Sequence, residues 1–378
     1  MRVCFISSYP PNRARLSEYA QSLVRDLATR PRIQRIYVLA DVVGGSTNRV
    51  AEGPKVEVLR VWRPDHVLSI LRLVPAILRL RPDVVHFNVH FQSYGRSRLT
   101  NFLGLALIPL CQRLGLRVVA TTHNFGEKVH LASVQVKPSV LNKLGIFVAT
   151  KMLLSASRLA VTVRSYVAYL QRRYGYGRAV YIPHGAAVIQ QPPLDPPERL
   201  VLMFGHMGPY KGLPTILKAF EAVVAEKPGV RLVIAGASHP NFPGYLEAYR
   251  RTYRPKVDFL GYVQEADLGT VFGTADVVVL PYLTATGTSG VFHMACSYGK
   301  PVIASDLPEI REMVREGAAA LLVPPRDVTA LKDAILKVLG NHGLATRMRA
   351  QNLAFARAER WSVVAGAFEH VYAELVHA

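Results

Sequence analysis

The sequence has few cysteines and no long apolar run, and these absences exclude several classes of protein. Its three cysteines are scattered over 378 residues without Cys-x-x-Cys spacing, which argues against a disulfide framework and against a structural zinc site. Only five apolar residues and two serines stand between Arg2 and Pro10, too few for a signal peptide, and no run of about 18 apolar residues follows. We therefore expect a cytoplasmic protein without a membrane-spanning helix.

Acidic residues are also scarce, but only in the first half of the chain. Residues 1–190 contain 27 Lys and Arg against 8 Asp and Glu, a net charge of +19, whereas residues 191–378 contain 19 against 18, a net charge of +1. A general preference for Arg would raise Arg in both halves and would not remove carboxylates from one. The depletion predicts that residues 1–190 meet an anionic partner, either an acceptor molecule or an anionic membrane surface.

Length and periodicity predict two domains of the doubly wound α/β class. A chain of 378 residues exceeds one ordinary core, and half of its residues are apolar. Short runs rich in Val and Ile alternate with segments whose apolar residues recur every three or four positions, which is typical of parallel sheets wrapped by helices. The strands are predicted at residues 3–7, 35–40, 56–61, 83–87, 117–121, 159–163, 180–182, 200–204, 231–235, 257–260, 277–280, 302–304 and 320–323.

Proline and glycine mark the boundary between the domains in residues 183–197, where no periodicity survives. We predict an N-terminal domain of residues 1–190 and a C-terminal domain of residues 198–360. A last helical segment, residues 361–378, follows the second sheet and is expected to pack back toward the first domain.

Two turns of the second domain have the composition of anion sites. Residues 281–306 read as strand, turn, helix and strand, and the turn contains Thr288, Ser289 and Gly290, whose backbone N–H groups would face an anion at a helix N-terminus. The earlier turn, residues 205–213, places Lys211 just before a helix, where its charge opposes the helix dipole unless an anion lies between them. An exposed, solvated lysine at a helix start is the alternative interpretation.

Four motifs together resemble the nucleotide-sugar domain of the retaining glycosyltransferases of family 4, which have the two-domain GT-B fold. They are Gly-His-Met-Gly-Pro-Tyr-Lys-Gly-Leu at residues 205–213, Thr-Gly-Thr-Ser-Gly at 286–290, Gly-Lys-Pro-Val-Ile-Ala-Ser-Asp at 299–306 and Val-Pro-Pro-Arg-Asp at 323–327. The first half matches more weakly through Asp-Val-Val-His at 83–86, Thr-Thr-His-Asn at 121–124 and Ile-Pro-His-Gly at 182–185. The resemblance implies two Rossmann-like domains, the second of which binds a nucleoside diphosphate sugar while the first binds the acceptor.

The resemblance also assigns donor-binding residues and shows two departures from the family. Lys211 matches the lysine that binds the pyrophosphate, and Gly205, His206, Thr288, Ser289 and Gly290 complete the implied donor site. His206 stands where the family usually has Arg. The family's pair of Glu residues, separated by seven positions, is replaced by Thr286 and Met294, so recognition of the ribose and the sugar must come from other groups.

In the first domain the resemblance implies that His123 faces the reacting sugar, because the family has an active-site His after this strand. On residue pattern alone, a His at a strand end is more often a hydrogen-bonded structural residue. His86, His90 and Asn124 are further candidates for acceptor binding. The two histidines alternate with apolar residues near a strand end, so both could line one face of the strand. Arg13 and Arg15, in a turn without the family's paired glycines, are candidates for binding an anionic acceptor through their guanidinium groups.

No essential metal is expected, because the chain has neither an Asp-x-Asp sequence nor two His at helical zinc spacing with a Glu. The sequence thus predicts a metal-independent, retaining glycosyltransferase with a nucleoside diphosphate sugar as co-substrate and an anionic or lipid-linked acceptor, as in glycan or polysaccharide synthesis. Three alternatives remain: an inactive GT-B binding or scaffold subunit, another GT-B enzyme such as a nucleotide-sugar epimerase or a phosphorylase, and a nucleic-acid-binding protein. The last lacks any recognised stacking motif, so no nucleic-acid partner is expected.

Overall fold

The computed structural model describes residues 1–12, 15–90, 92–128, 139–189, 199–253, 257–285 and 287–377, with only the backbone described at residue 15. The chain divides into two compact units. Of the described residues, those up to Gly185 and those from Trp361 form the first unit, and those from Ala186 to Arg360 form the second. This division falls inside the predicted linker, before the predicted end of the first domain at residue 190.

The strands other than β3 lie where continuous runs of Val, Ile and Leu predicted them, since a strand covered on both faces has no polar side to alternate with. In chain order they are β1 Arg2–Ile6, β2 Arg35–Asp41, β3 Arg49–Ala51, β4 Val56–Trp62, β5 Val84–Val89, β6 Val118–Thr122, β7 Arg158–Val161, β8 Ala179–Tyr181, β9 Arg199–Phe204, β10 Val230–Ala235, β11 Val257–Gly261, β12 Val277–Leu280, β13 Val302–Ser305 and β14 Ala320–Val323.

Helices connect most of these strands, as expected for parallel neighbours joined by crossover connections. They are α1 Arg15–Thr29, α2 Val67–Leu71, α3 Leu73–Leu80, α4 Arg98–Arg113, α5 Val140–Leu153, α6 Arg164–Tyr174, α7 Leu213–Glu226, α8 Tyr245–Tyr253, α9 Leu268–Gly273, α10 Gly290–Ser297, α11 Pro308–Arg315, α12 Val328–Gly340, α13 His342–Ala358 and α14 Trp361–His377. Short 3-10 helices cover Gly126–Lys128, Pro209–Lys211 and Glu265–Asp267.

The first unit has an eight-stranded sheet in the order β3-β4-β2-β1-β5-β6-β7-β8, in which only β3 and β4 pair antiparallel. Helix α14 belongs to this unit and packs with α1 against one face of the sheet, where Phe368 and Tyr372 enter the core. An ion pair of 2.9 Å joins Arg30 Nε to Glu369 Oε2 on the same side. The last helix therefore completes the first unit.

The second unit has a six-stranded, all-parallel sheet in the order β11-β10-β9-β12-β13-β14. From β9 the chain builds outward through β10 and β11, and it then returns to place β12 on the other side of β9. In such sheets ligands bind at this switch point, beyond the carboxyl ends of the two strands. The turns after β9 and β12 flank that position. The two doubly wound α/β units confirm the predicted fold class.

One predicted element differs from the structure. The sequence predicts that residues 67–79, if helical, are kinked at Pro75 and carry Arg72 and Arg79 on nearly the same face. This helix would either dock on an anionic membrane or be buried with its cations solvated. The structure has two short helices, α2 and α3, which are divided at Arg72, and Pro75 lies in the first turn of α3. Proline is tolerated there because N–H groups of a first turn have no partner within the helix. Ile70, Leu73 and Ile77 are fully buried, whereas Leu68, Leu71 and Leu78 are exposed, so one face of this segment packs into the core.

Candidate functional site

The switch point of the second unit brings two turns into direct contact. The amide of Leu283 donates to the carbonyl of Tyr210 at 2.8 Å, which joins the turn after β12 to the turn after β9. Gly212 has a φ of +71°, and a Cβ at this position would lie 1.8 Å from the carbonyl oxygen of Pro281. Only glycine fits there, because it tolerates both the left-handed conformation and the close approach of the other turn.

Lys211 is buried in the space where these turns meet, although its charge would favour an exposed position. Its Nζ lies 3.8 Å from the centre of the Tyr282 ring, within the range of a cation–π contact. The hydroxyl of Tyr282 lies 3.4 Å from Oγ of Ser289. Lys211, Tyr282 and Ser289 therefore form one connected group, of which the sequence had identified the first and the third.

Ser289 begins α10, and the helix start faces the same group. The side chain of Ser289 is the N-cap and accepts from the amide of Phe292 at 3.3 Å. Gly290 is the first helical residue, so its amide has no partner in the preceding turn of the helix. Gly205 lies close by, since a Cβ on it would be 3.3 Å from Cγ2 of Val291. The structure thus brings Gly205, Lys211, Ser289 and Gly290 together.

Two predicted donor-binding side chains point to neighbours outside this group. The ring of His206 lies 6.2 Å from that of His239, nearly perpendicular to it. The hydroxyl of Thr288 lies 3.4 Å from the sulfur of Met313. Of the two residues at the places of the family's Glu pair, Met294 is half-buried, and Thr286 lies outside the described residues.

In the first unit, His123 follows β6 and is held by a defined hydrogen-bond chain. Asn88 Nδ2 donates to Ser7 Oγ at 3.0 Å, so its Oδ1 faces His123 Nε2 at 2.6 Å. Because an amide oxygen only accepts, Nε2 carries hydrogen and the neutral ring keeps its lone pair on Nδ1. This arrangement fixes the imidazole so that Nδ1 can accept a hydrogen bond.

Aromatic rings surround His123 and keep it uncharged. Tyr19 packs edge-on against it at 4.3 Å between ring centres, and His184 lies at 6.1 Å. Burial, followed by the proximity of His184, His90 and His86, holds the pKa of His123 well below its usual range. An uncharged imidazole is suited to orienting a hydroxyl and unsuited to donating a proton as an imidazolium.

His86 is a correction to the predicted acceptor site. It lies on β5 and is fully buried beneath α14, where Nδ1 lies 2.5 Å from the hydroxyl of Tyr372 and Nε2 lies 2.7 Å from Oγ1 of Thr121. Burial lowers the pKa of His86 to about 3. Both ring nitrogens are engaged in the core, so His86 is a structural residue and not an acceptor-binding one.

The other predicted acceptor-binding residues occupy loops of the first unit. His90 Nδ1 accepts from the amide of Gln92 at 2.8 Å, which folds the loop after β5. Asn124 has a buried Oδ1 without a hydrogen-bond partner in the described part of the chain, and an unpaired buried group of this kind costs about 1–3 kcal/mol. Arg15 starts α1, but its side chain and the whole of Arg13 lie outside the described residues.

The turn after β1 is organised by residues that the sequence analysis missed. Asp41, at the end of β2, accepts from the amide of Tyr9 at 3.1 Å and from the side-chain amide of Asn12. Arg60 donates to the carbonyl of Asp41 at 2.8 Å and to that of Pro10. A buried carboxylate and a buried guanidinium thus hold this turn, which lacks the paired glycines of the family that it resembles.

Metal-ligand clusters and membrane-spanning helices are both absent from the described residues. Among those residues, no three His, Cys, Asp or Glu side chains are grouped so that they could hold a metal ion. Across the same ranges, none of the helices combines the length and the apolar character that crossing a bilayer requires.

Known proteins resemble this chain in sequence over about half of its length and more weakly over its whole length. Residues 198–341 match the family described as "Glycosyl transferases group 1". The phosphatidyl-myo-inositol mannosyltransferase of Mycobacterium leprae (strain TN) is 33% identical over 201 residues, which cover 51% of this chain and 53% of the relative. The chain therefore spans about half the length of that relative. The GDP-mannose-dependent alpha-(1-6)-phosphatidylinositol monomannoside mannosyltransferase of Mycobacterium tuberculosis (strain CDC 1551 / Oshkosh) is 24% identical over 396 residues, 96% of each protein.

A solved structure extends the likeness of fold to the full chain. Sucrose-phosphate synthase from Thermosynechococcus elongatus superposes with a TM-score of 0.78 at 20% identity and covers 99% of both chains. Together with the strand orders above, these likenesses show a GT-B fold, in which residues 198–341 are similar to the group 1 glycosyl transferase domain.

Proposed function

We propose that the protein transfers a sugar from a nucleoside diphosphate sugar to a hydroxyl group of an anionic, lipid-linked acceptor, with retention of the anomeric configuration. The observation that carries this proposal is the buried lysine of the second unit. Lys211 lies at the switch point of a parallel sheet, beside Tyr282 and the first turn of α10. A buried ammonium and a helix N-terminus at one place favour a ligand with concentrated negative charge, such as a diphosphate.

The chemistry assigned to this group is electrostatic stabilisation of the leaving group. The bond between the anomeric carbon and the diphosphate oxygen breaks, and the electron pair goes to that oxygen. Lys211 and the amides at Ser289 and Gly290 stabilise the charge that develops there. The acceptor oxygen bonds to the anomeric carbon on the face that the diphosphate leaves, and its proton passes to the departing phosphate.

His123 is assigned an orienting role in the first unit. Its Nδ1 lone pair accepts a hydrogen bond from a hydroxyl of the donor sugar or of the acceptor, which agrees with a neutral ring fixed through Asn88. Asn124 Oδ1, which has no partner in the described chain, offers a second acceptor for such a hydroxyl. No covalent nucleophile and no metal are part of the proposal.

The nature of the acceptor is proposed from charge and from relatives. Both mycobacterial relatives are named for mannosyl transfer to phosphatidylinositol or its mannoside, and one is named as GDP-mannose-dependent. The +19 net charge of residues 1–190 is suited to a phosphoinositide or another anionic lipid headgroup. GDP-mannose and phosphatidylinositol are therefore the first donor and acceptor to test.

A surface of the first unit supports peripheral binding to an anionic membrane. The α5 face consists of five exposed apolar side chains on one side of that helix: Val140, Leu141, Leu144, Phe147 and Val148. Val140 is 84% exposed and Leu141 is 72% exposed, and Leu99 of the adjoining α4 is 66% exposed. Lys143, Lys151 and Arg98 lie on the same two helices. Apolar side chains flanked by cations suit the interface of an anionic bilayer.

A ligand screen and a turnover assay test the proposal and separate it from its alternatives. A nucleoside diphosphate sugar at about 100 times its dissociation constant should stabilise the protein by roughly 2.7 kcal/mol, measured as a thermal shift. Transfer to the lipid acceptor then supports a glycosyltransferase. Stabilisation without transfer or hydrolysis would instead assign a binding subunit, and turnover without an acceptor would assign an epimerase or a phosphorylase. Absence of stabilisation by every donor would contradict the proposed donor site.

A further inference from the structure

The side chains of His293 and Glu359 form a buried pair next to Ser289, at the end of the turn between β12 and α10. His293 is on α10 and is 3% exposed, and Glu359 follows α13 and is 8% exposed. Nε2 of His293 lies 2.8 Å from Oε2 of Glu359. Cys296, on α10, and Phe355, whose ring centre is 5.7 Å from that of His293, enclose the pair. Neither residue belongs to the motifs that identified the donor site.

The hydrogen bonds of His293 require a proton inside this contact. Its other nitrogen, Nδ1, lies 3.0 Å from the carbonyl oxygen of Ser289, and a carbonyl only accepts, so Nδ1 carries hydrogen. At 2.8 Å, Nε2 and the carboxylate oxygen would present lone pairs to each other unless one of them also carries hydrogen. His293 and Glu359 therefore share one proton between them.

The same histidine orients the peptide that faces the proposed diphosphate. The carbonyl of Ser289 accepts from both the backbone amide of His293, at 3.1 Å, and its Nδ1. In a planar trans peptide the carbonyl and the following N–H point in opposite directions. Holding the Ser289 carbonyl toward the helix therefore aims the Gly290 amide outward from the helix start, where an anion would bind.

Glu359 connects this peptide to a second chain segment of the same unit. Its own carbonyl accepts from the amide of Ala186 at 2.9 Å, and Ala186 forms a parallel bridge with Arg360. Ala186 and Arg360 are the first and last residues of the second unit. The chain of contacts thus runs from both ends of the unit through Glu359 and His293 to Ser289 and Gly290.

We infer that His293 and Glu359 are positioning residues for the donor site: through one shared proton they hold the Ser289–Gly290 peptide in the orientation that binds the leaving diphosphate. This inference rests on the proposed function. The shared proton distinguishes a positioning role from simple packing. A Gln at position 359 can donate an amide hydrogen to Nε2 of a neutral His293, whereas Ala cannot.

The test compares Glu359→Gln and Glu359→Ala in the full chain, with Asn352→Ala as the matched control. Asn352 is a fully buried polar residue on α13 and contacts the backbone of Lys300 and Ala319, away from Ser289. Hydrogen–deuterium exchange at residues 287–297 reports on the turn without any ligand. Calorimetric titration with GDP and with UDP reports on diphosphate binding.

Glu359→Ala should speed hydrogen exchange of the Phe292 and His293 amides by about tenfold and weaken GDP or UDP binding by about tenfold. Each change is the size expected from losing one charge-assisted hydrogen bond. Glu359→Gln should restore both measurements to near wild type, and Asn352→Ala should lower the melting temperature while leaving both unchanged. Equal damage from Gln and Ala would overturn the shared proton, and faster exchange with unchanged nucleotide affinity would overturn the positioning role. Wild-type protein that binds neither nucleotide would overturn the proposed donor site itself, and the exchange data would still decide on the shared proton.

Discussion

Lys211 is the residue on which the proposed chemistry depends most. Lys211→Ala should slow sugar transfer by at least about a hundredfold, because the variant loses one preorganised charge next to the leaving diphosphate. Steady-state turnover of purified protein measures this effect. Lys300→Met is the control, since Lys300 is also a buried lysine of the second unit but donates to the carbonyl of Gly273 at 2.8 Å.

Lys300→Met should lower stability and leave turnover per folded molecule unchanged. If Lys211→Ala retained near wild-type turnover, or if both variants lost activity equally, Lys211 would have no specific role in the reaction.

His86 should make the stability of the protein depend on pH. Burial lowers its pKa in the folded state to about 3, whereas an unfolded histidine titrates near 6.5. Between these values the unfolded chain binds a proton that the folded chain does not. The free energy of unfolding should therefore fall as the pH falls from about 6.5 toward 3, by up to about 1.4 kcal/mol per pH unit for this side chain.

Urea unfolding of wild type and of His86→Gln across this pH range checks the expectation. Gln can hydrogen-bond Thr121 and Tyr372 but does not titrate, so the variant should show the shallower decline. Parallel declines would show that His86 does not cause the acid sensitivity.

The residues missed in the sequence share one physical feature. Tyr282, His293 and Glu359 matter through contacts with partners that are remote along the chain, and His293 and Glu359 are 66 positions apart. Lys211, Ser289 and Gly290 could be predicted because a turn between a strand and a helix has a local signature. His86 was wrongly placed in the site, since alternation along β5 does not reveal that α14 covers that face.

At the scale of elements, the contact between the turn after β9 and the turn after β12 depends on Gly212. Gly212→Ala should destabilise the second unit strongly, because its Cβ would meet the Pro281 carbonyl at 1.8 Å. Gly261→Ala is a matched control: Gly261 has a similar φ of +73° but no atom within 4 Å of the added Cβ. The control should cost only the left-handed backbone term, about 1–2 kcal/mol.

Chemical denaturation measures both variants, and the difference between them isolates the steric term. A Gly212→Ala variant no less stable than Gly261→Ala would show that the two turns can separate, which contradicts the described close contact.

Most strands could be predicted because buried parallel strands are written as continuous apolar runs. The strand β3 was missed, since its three residues are exposed and it pairs antiparallel at the sheet edge, where burial imposes no pattern. The break at Arg72 was also missed. Proline predicted a kink at residue 75, but a proline in the first turn of a helix is compatible with a regular start.

At the scale of the whole molecule, the basic first half predicts contact with an anionic surface, and the α5 face is the surface that we propose for this contact. The apolar segment of residues 67–79 buries Ile70, Leu73 and Ile77 and exposes other leucines, whereas all five apolar side chains of the α5 face are exposed. Leu141→Glu combined with Leu144→Glu should reduce binding to anionic vesicles by at least about tenfold, because it removes apolar contacts and adds repulsive charge.

Sedimentation with anionic and neutral vesicles at two salt concentrations measures this binding. Leu260→Glu alters an exposed leucine of the second unit and should have no effect. Wild-type binding should weaken as salt rises and be absent with neutral lipid. Equal binding to both lipids, or to neither, would leave a soluble anionic acceptor as the explanation for the basic half.

Proton NMR of the transfer reaction tests the proposed function most directly. With GDP-mannose, phosphatidylinositol in micelles and excess EDTA, we predict acceptor-dependent release of GDP and a product whose anomeric proton retains the donor's configuration. Persistence in EDTA is expected because Lys211, backbone amides and the α10 dipole, rather than a cation, oppose the phosphate charge. An inverted product, or turnover that EDTA abolishes and Mg²⁺ restores, would contradict the proposed mechanism.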